Sequence, residues 1–445
     1  MQCSTVARTQ SGHPAGWRKT RARARVAGTR RCTVSREHAQ STLDLAGEPG
    51  DGGGPADRRP RSRRRWARRT VLGAIVTVGL LVVASAVAAY VPVQYYAITP
   101  GTAVAVSGLV TVPRDLAEPH LGSVMLTDVE LVPLHALSYL FYSLQAGDNV
   151  VPASAVVGTA STSQYEREGK VDMFEARQAA TVVALHELGY PTRAVPDGVI
   201  VYQPEAGSAA AHGLAVGDVV TAVDGRPVRT IAGLASLIGD ERPGVSVTLQ
   251  VRGMFTTRHR SVRLRLGEER VAGTGSNVTE VCAGVGTDTA LQPVEQNGLP
   301  AACLGVYPEQ SYATKGLPFH VSISSDGIIG PSAGLAFTLG LMEKLDKSDL
   351  MAGLTVAATG TMSVTGQVGE VGGVAQKTIA VRDAGASVLF VPLGELHQAL
   401  PHAGPHLTVM AVSSVAQAVA DLEQLGGRLS PPSNARSRPR LAHRA

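Results

Sequence analysis

The sequence predicts a multidomain α+β chain: one N-terminal membrane-spanning helix, a β-rich middle unit and a C-terminal α+β domain. Three stretches of the 445 residues carry this reading. Val71–Val91 is uncharged over 21 residues, and about 20 such residues span a bilayer core as a helix. Gly198–Ile238 alternates short apolar runs with glycine-containing turns, as small β units do. Phe319–Ser324 alternates like a strand, and Leu335, Ala336, Leu339, Met342 and Leu345 then form one helical apolar face. Hydrophobic residues make up 44% of the chain, enough for sizeable cores.

The first 69 residues are rich in Arg, Gly, Ser and Pro without apolar periodicity, so they predict a disordered basic segment. They hold 17 Lys/Arg against 5 Asp/Glu, which makes the rest of the chain mildly acidic despite an overall charge of +5. A nucleic-acid reading of that basicity would misplace the charge. Only 6 of the 41 basic residues are Lys, the usage of a GC-rich genome. Residues 70–91 are expected to span the membrane. The cluster Arg63–Arg69 precedes the span and none comparable follows, so the N-terminus is expected in the cytoplasm and all that follows outside. The competing reading is a signal peptide cleaved after Ala86 or Ala88, although the run is longer than the usual signal core.

Residues 92–192 predict an extracytoplasmic α+β region, with strands in "PVQYYAITPG" and "GSVMLTDVELVP" and an amphipathic helix over Val171–Tyr190. In the middle unit a strand leads to the short helix "GSAAAHG". A strand, a turn at Asp224-Gly225, a helix over Ile231–Ile238 and a strand over Val245–Arg252 follow. The pattern GLxxGDxxxxVDGxPV from Gly213 to Val228 resembles a PDZ domain, here residues 193–266. That resemblance implies binding of extended peptides by strand addition. "AVPDGVIV" is the candidate peptide-binding segment, with Gly198, Val199, Ile200 and Val201 as contact residues. Residues 267–299 are expected to be a linker. Cys3 and Cys32 fall in the cytoplasm on this topology, whereas Cys282 and Cys303 fall outside, where a disulfide is permitted. No Cys/His spacing suits a metal, so neither metal nor cofactor is expected.

Ser332 lies in "SDGIIGPSAG", between the expected strand and helix. A serine there is either a helix N-cap or a nucleophile beside unsatisfied N–H groups that favour an oxyanion. A nucleophile needs a base. His320 has nothing in the sequence to orient it, and His397, His402 and His406 surround Gly404-Pro405, which spoils helical spacing. Lys377 shares a helical face with Val374, Ala380 and Val381. It is either a snorkelling surface lysine or a desolvated, neutral general base.

"GPSAG", an apolar helix, "TVAATGTM" and then "TGQVGEVGGVAQKTIAVRDAGA" are similar to the proteolytic domain of Lon-type proteases over residues 300–425. The resemblance implies a Ser-Lys dyad: Ser332 as nucleophile, Lys377 as base, and backbone at Gly330 and Ala333 as the oxyanion hole. It departs from the ATP-dependent enzymes at Ile329, where an acidic residue is usual, and at Thr361, where glutamate is frequent; Asp326 lies three residues before Ile329. No GxxxxGK[ST] occurs, because Gln376 stands where "GGVAQKT" would need glycine. The whole order resembles the PDZ-linked, membrane-anchored Lon-like proteases of Gram-positive bacteria, and the lysine-poor usage fits an actinobacterium. Residues 426–445 are expected to be a basic disordered tail.

The resulting expectation is an ATP-independent serine endopeptidase acting on unfolded or extended polypeptides, with the PDZ unit selecting substrate. Polypeptides and the membrane are the expected partners, nucleic acid is not, and a homo-oligomer is allowed. The alternative is a non-catalytic PDZ scaffold, which would need neither Ser332 nor Lys377. Trypsin-like PDZ proteases need a His-Asp-Ser set that the sequence does not offer.

Overall fold

The computed structural model describes residues 61–430 apart from 146, 159, 257, 273–278, 286–290 and 297. The expectations for residues 1–60 and 431–445 lie outside the described residues.

Helix α1 (Arg61–Ala88) contains the apolar run up to Ala88, three residues short of the expected end, before a turn at Ala89-Tyr90. It starts within the segment expected to be disordered, because extending a formed helix through arginine costs little. Arg69–Ala88 has a mean hydropathy of 2.6 and is long and apolar enough to cross a membrane. Strands β1 (Pro92–Ala105) and β2 (Ser123–His135) follow, then α2 (Ala136–Leu144), β3 (Asn149–Pro152) and α3 (Thr162–Glu187). Helix α3 begins nine residues before the sequence-based start. Ser161 caps it and Gln164 returns a bond to the Ser161 N–H, a capping box that apolar periodicity does not report.

The middle unit comprises β4 (Arg193–Pro204), β5 (Asp218–Val223), α4 (Ile231–Gly239), β6 (Ser246–Gly253) and β7 (His259–Arg265). The segment expected to be a linker instead supplies paired strands β8 (Gly267–Ala272) and β9 (Thr279–Ala283). Strand β10 (Val306–Lys315) returns along β4. The chain then forms α5 (Gly334–Leu345), β11 (Thr355–Ala358), α6 (Val374–Asp383), β12 (Val388–Pro392), β13 (Thr408–Val412) and α7 (Val415–Gln424). Residues 428–430 are tied down rather than loose: the Arg428 and Ser430 N–H groups donate to Asp349 O and Asp346 Oδ1 at 2.9 and 3.0 Å.

The six-stranded sheet runs β13-β12-β11-β2-β1-β3. Strand β11 pairs in parallel with β12 on one side and with β2 on the other, so that Val356 lies beside Val124 and Ala358 beside Leu126. The two parts drawn separately from the sequence, 92–192 and 300–425, therefore share one sheet. They also share one core: Met173, Ala180 and Val183 of α3 pack with Leu335, Phe337 and Leu341 of α5 and with Phe390. On the opposite face α6 buries Val374 and Val381 against Ala357, Leu389 and Val391. Covering both faces suits the near-continuous apolar runs of β11 and β12.

The middle unit is an insertion between α3 and the segment leading to Ser332. Its sheet runs β10-β4-β5-β6-β7, with neighbours antiparallel, and encloses its own core of Val199, Val220, Leu249 and Leu234. A contact through Val171 of α3 with Ile200, Val219 and Met254 seats it on the larger domain. Cys282 and Cys303 form a disulfide with a Cα–Cα distance of 5.7 Å. It joins β9 to the residues just before β10. Gly267 lies beneath it, where a Cβ would stand 2.7 Å from Cys282 Sγ.

A fragment of residues 300–430 lacks β1, β2, β3 and α3, and is expected to show no cooperative melt by circular dichroism. Residues 92–430 should melt cooperatively. Cooperative unfolding of the short fragment would show that the C-terminal half holds a complete core.

Candidate active site and peptide groove

Ser332 precedes α5 by two residues. The N-cap position falls to Ala333, whose side chain caps nothing, so capping does not account for Ser332. Its backbone is held from two sides: the Ser332 carbonyl accepts the Gly360 N–H at 2.9 Å and the Thr359 hydroxyl at 3.3 Å. The preceding turn needs left-handed backbone at Asp326, Gly327 and Gly330, with φ of 49°, 86° and 91°. It docks on α3, where the Gly330 N–H donates to Gly169 O at 2.7 Å. A Cβ at Gly169 would stand 3.0 Å from Ile329 Cδ1, so glycine there permits the close approach.

Lys377 sits on the second turn of α6 at 3% exposure. Its Nζ donates to Thr359 Oγ1 at 3.2 Å, and Thr359 donates onward to the Ser332 carbonyl. Among the described residues this is the lysine's hydrogen bond, and none runs directly to the Ser332 hydroxyl. Both side chains line one cavity of about 460 Å³, together with Asp128, Tyr165 and Ile329. Burial lowers the Lys377 pKa to about 8, opposed by the charges of Glu395 and Asp128. Asp128 is held by the Thr102 N–H and hydroxyl, at 2.5 and 3.2 Å to its Oδ1. Near neutral pH a useful fraction of Lys377 is thus a free amine in reach of the serine's turn.

The sequence-based set divides. Ser332 and Lys377 share the cavity; Gly330 and Ala333 flank the serine. The Gly330 N–H is committed to Gly169, which leaves the Ser332 and Ala333 amides as the oxyanion donors compatible with this geometry. His320, His397, His402 and His406 do not line the cavity. Thr359, Asp128 and Glu395 were missed by sequence reasoning. Thr359 stands inside the quoted "TVAATGTM", but its role appears only once β11 is laid beside β2.

The peptide-binding expectation for Gly198–Val201 needs correction. Strand β4 is interior: Val199–Val201 pair with Val220–Asp218 on one side, and Gly198–Val201 with Ser311–Pro308 on the other. No hydrogen-bonding edge is left there for a peptide. The open edge on this side of the sheet belongs to β10, whose ladder partner among the described residues is β4 alone. Between β10 and α4 lies a groove of about 310 Å³ lined by Ile231, Ala235, Cys303, Leu304, Val306 and Pro308. Sequence reasoning missed it because β10 follows β4 by about a hundred residues.

Residues 184–258 match the PDZ domain family, and residues 305–422 match the C-terminal proteolytic domain of Lon protease. This chain joins a PDZ domain to a Lon-type proteolytic domain. It is similar to the Lon protease of Malacoplasma penetrans, 37% identical over 78 residues, which is 17% of this chain and 10% of the relative. The Lon protease of Frankia alni is 36% identical over 85 residues, covering 19% and 10%. That of Ureaplasma parvum is 34% identical over 83 residues, covering 18% and 10%. The chain thus spans about a tenth of the length of these curated relatives. The solved PDZ domain of an SdrC-like protein from Listeria monocytogenes aligns with 25% of this chain and 87% of its own, at 17% identity and a TM-score of 0.17. These matches support a protease. The Lon match covers the half of the folded domain that is continuous in sequence; β1, β2, β3 and α3, which complete its sheet and core, precede it.

The lowered lysine pKa sets two expectations. Peptide hydrolysis should rise through about pH 8 and level off above it as Lys377 loses its proton. For stability the sign follows from the lowered folded pKa. The unfolded chain holds the proton more tightly, so burial of Lys377 destabilises the fold below about pH 8, and the penalty fades as pH rises toward 10.5. Lys377→Met should therefore be inactive yet roughly 1–3 kcal/mol more stable at pH 7, after allowing for the lost bond to Thr359. Denaturant melts at pH 7 and pH 10 check this, with the gain shrinking at the higher pH.

Proposed function

We propose that this protein is a membrane-anchored, ATP-independent serine endopeptidase that cleaves extended polypeptides outside the cytoplasm, with Ser332 as nucleophile and Lys377 as general base. The observation that carries the reading is the buried Lys377 with a pKa lowered to about 8, lining one cavity with Ser332. Neutral Lys377 takes the Ser332 Oγ proton as the oxygen attacks the scissile carbonyl. The tetrahedral oxyanion meets the backbone amides at the mouth of α5, where the helix dipole adds positive potential. The lysine ammonium returns its proton to the leaving amine. Water, deprotonated by the same amine, then releases the acyl group from Ser332. Thr359 is a positioning residue that fixes Nζ relative to the serine's backbone.

The absence of a P-loop motif from the 445 residues supports independence from ATP and a preference for chains that are already unfolded. The arginine cluster before the span supports a cytoplasmic N-terminus and an exterior catalytic domain. The groove between α4 and β10 supports selection of a polypeptide end or strand by addition to the β10 edge.

Folded Ser332→Ala should lose hydrolysis of unstructured casein by about three orders of magnitude or more, measured beside its melting curve. Turnover that falls only as far as folded protein falls would return Ser332 to a structural role. Ala235 is exposed on α4 and lines the groove. Ala235→Trp should impair processing of a long polypeptide through KM while sparing a short peptide; equal loss on both would make the PDZ unit structural. Externally added protease should remove the catalytic domain and spare an N-terminal tag, and protection of that domain would reverse the topology.

A further inference from the structure

We propose that His120, Glu343 and Asp349 bind a divalent transition-metal ion, Zn2+ by donor type, at the end of α5 remote from Ser332. The ligand atoms of the three side chains lie within 4.8 Å of one another. They come from three places in the chain: the segment before β2, the last turns of α5, and the turn between α5 and β11.

Glu343 is 6% exposed. Its Oε2 accepts the Leu350 N–H at 3.2 Å, but its Oε1 is buried with no partner, as is Asp349 Oδ1. Buried carboxylate oxygens without donors are costly, and two ionised carboxylates this close cannot satisfy one another. No salt bridge among the described residues involves either carboxylate. Lys344 is next in sequence, but its ammonium is bound elsewhere, donating to Ser107 O and Val110 O at 2.7 and 2.6 Å. A divalent cation would give both orphan oxygens a partner at once.

His120 makes the site selective. Its Nε2 lies 2.9 Å from Asp346 O, a pure acceptor, so Nε2 carries a proton and Nδ1 is the ring nitrogen open to a ligand. A ring N–H given to a backbone carbonyl is how ligating histidines are usually oriented. One imidazole with two carboxylates suits zinc better than the all-oxygen sets of Ca2+ and Mg2+. Binding zinc at distances near 2.0–2.2 Å would draw the three ligand atoms closer together than their present spacing. A cavity of about 290 Å³ lined by His120, Glu118 and Glu343 gives the ion a way in. The bound ion would clamp α5 to the 346–351 turn and to the segment entering β2.

The test uses the full chain in detergent with a non-histidine tag, stripped with chelator and titrated with Zn2+ alone. Wild type should retain one zinc per chain more than Glu343→Gln or His120→Gln, by elemental analysis after dialysis. Zinc should raise the wild-type Tm, and either substitution should weaken that site by about tenfold or more. Glu343→Gln keeps size and removes charge, and half-buried His120 provides a second variant should the first misfold. Equal zinc retention and equal Tm shifts in wild type and both variants would place zinc at other histidines and overturn the proposal. So would no zinc retention, or a Glu343-dependent response to Ca2+ but not to Zn2+.

Discussion

The parallel pairing of β2 with β11 is the constraint on which the rest depends. It sets Ser123–Leu126 beside Thr355–Ala358, strands more than two hundred residues apart. Just past the paired residues stand Asp128, still within β2, and Thr359, at the end of β11. The end beyond the carboxyl termini of parallel strands is where α/β sheets place their ligands. Here the Ser332 turn crosses it and Lys377 reaches it from α6. Without this register Thr359 has no lysine to hold and Asp128 no charge to oppose. The lysine's altered pKa is thus a property of sheet pairing as much as of local sequence.

Helix α3 is the second shared element. Near its start, Gly169 receives the serine's turn through one hydrogen bond and a close contact with Ile329. One turn on, Val171 and Phe174 pack against the PDZ unit at Ile200, Val219 and Met254. The PDZ unit therefore sits on the helix that holds the Ser332 turn, and β10, at one edge of its sheet, leads into the segment before Ser332. A ligand on β10 would touch a strand that leads into the Ser332 turn. The disulfide anchors the entry to that strand, limiting how far it can shift without detaching.

Local signals made some parts legible from sequence. The apolar run of α1, the "PSAG" turn before an apolar helix, the lysine on an apolar face, and the glycines and turns of the PDZ pattern all depend on residues within about twenty positions of one another. Periodicity and turn chemistry report such features directly. The start of α3 was misjudged because its first turns are polar and its signal is a capping box. The segment 267–299 looked like a linker because its strands are short and interrupted by charged residues, without the apolar alternation that marks a half-buried strand.

By itself, the sequence determined the type of the main helices and strands outside 267–299, the pairing of a PDZ unit with a Lon-type proteolytic domain, and the two residues offered for catalysis, since each rests on local pattern or on a motif. The tertiary structure decided the rest. Residues 92–190 and 317–430 form one domain with the PDZ unit inserted between α3 and the serine. The open groove of the PDZ unit lies between β10 and α4, and Gly198–Val201 is paired on both sides. Thr359 and Asp128 surround the lysine, and His120 meets Glu343 and Asp349. The physical reason is common to all of these. Strand order and side-chain meetings are set by which buried faces fit together across the whole chain, and no local window of residues contains that information.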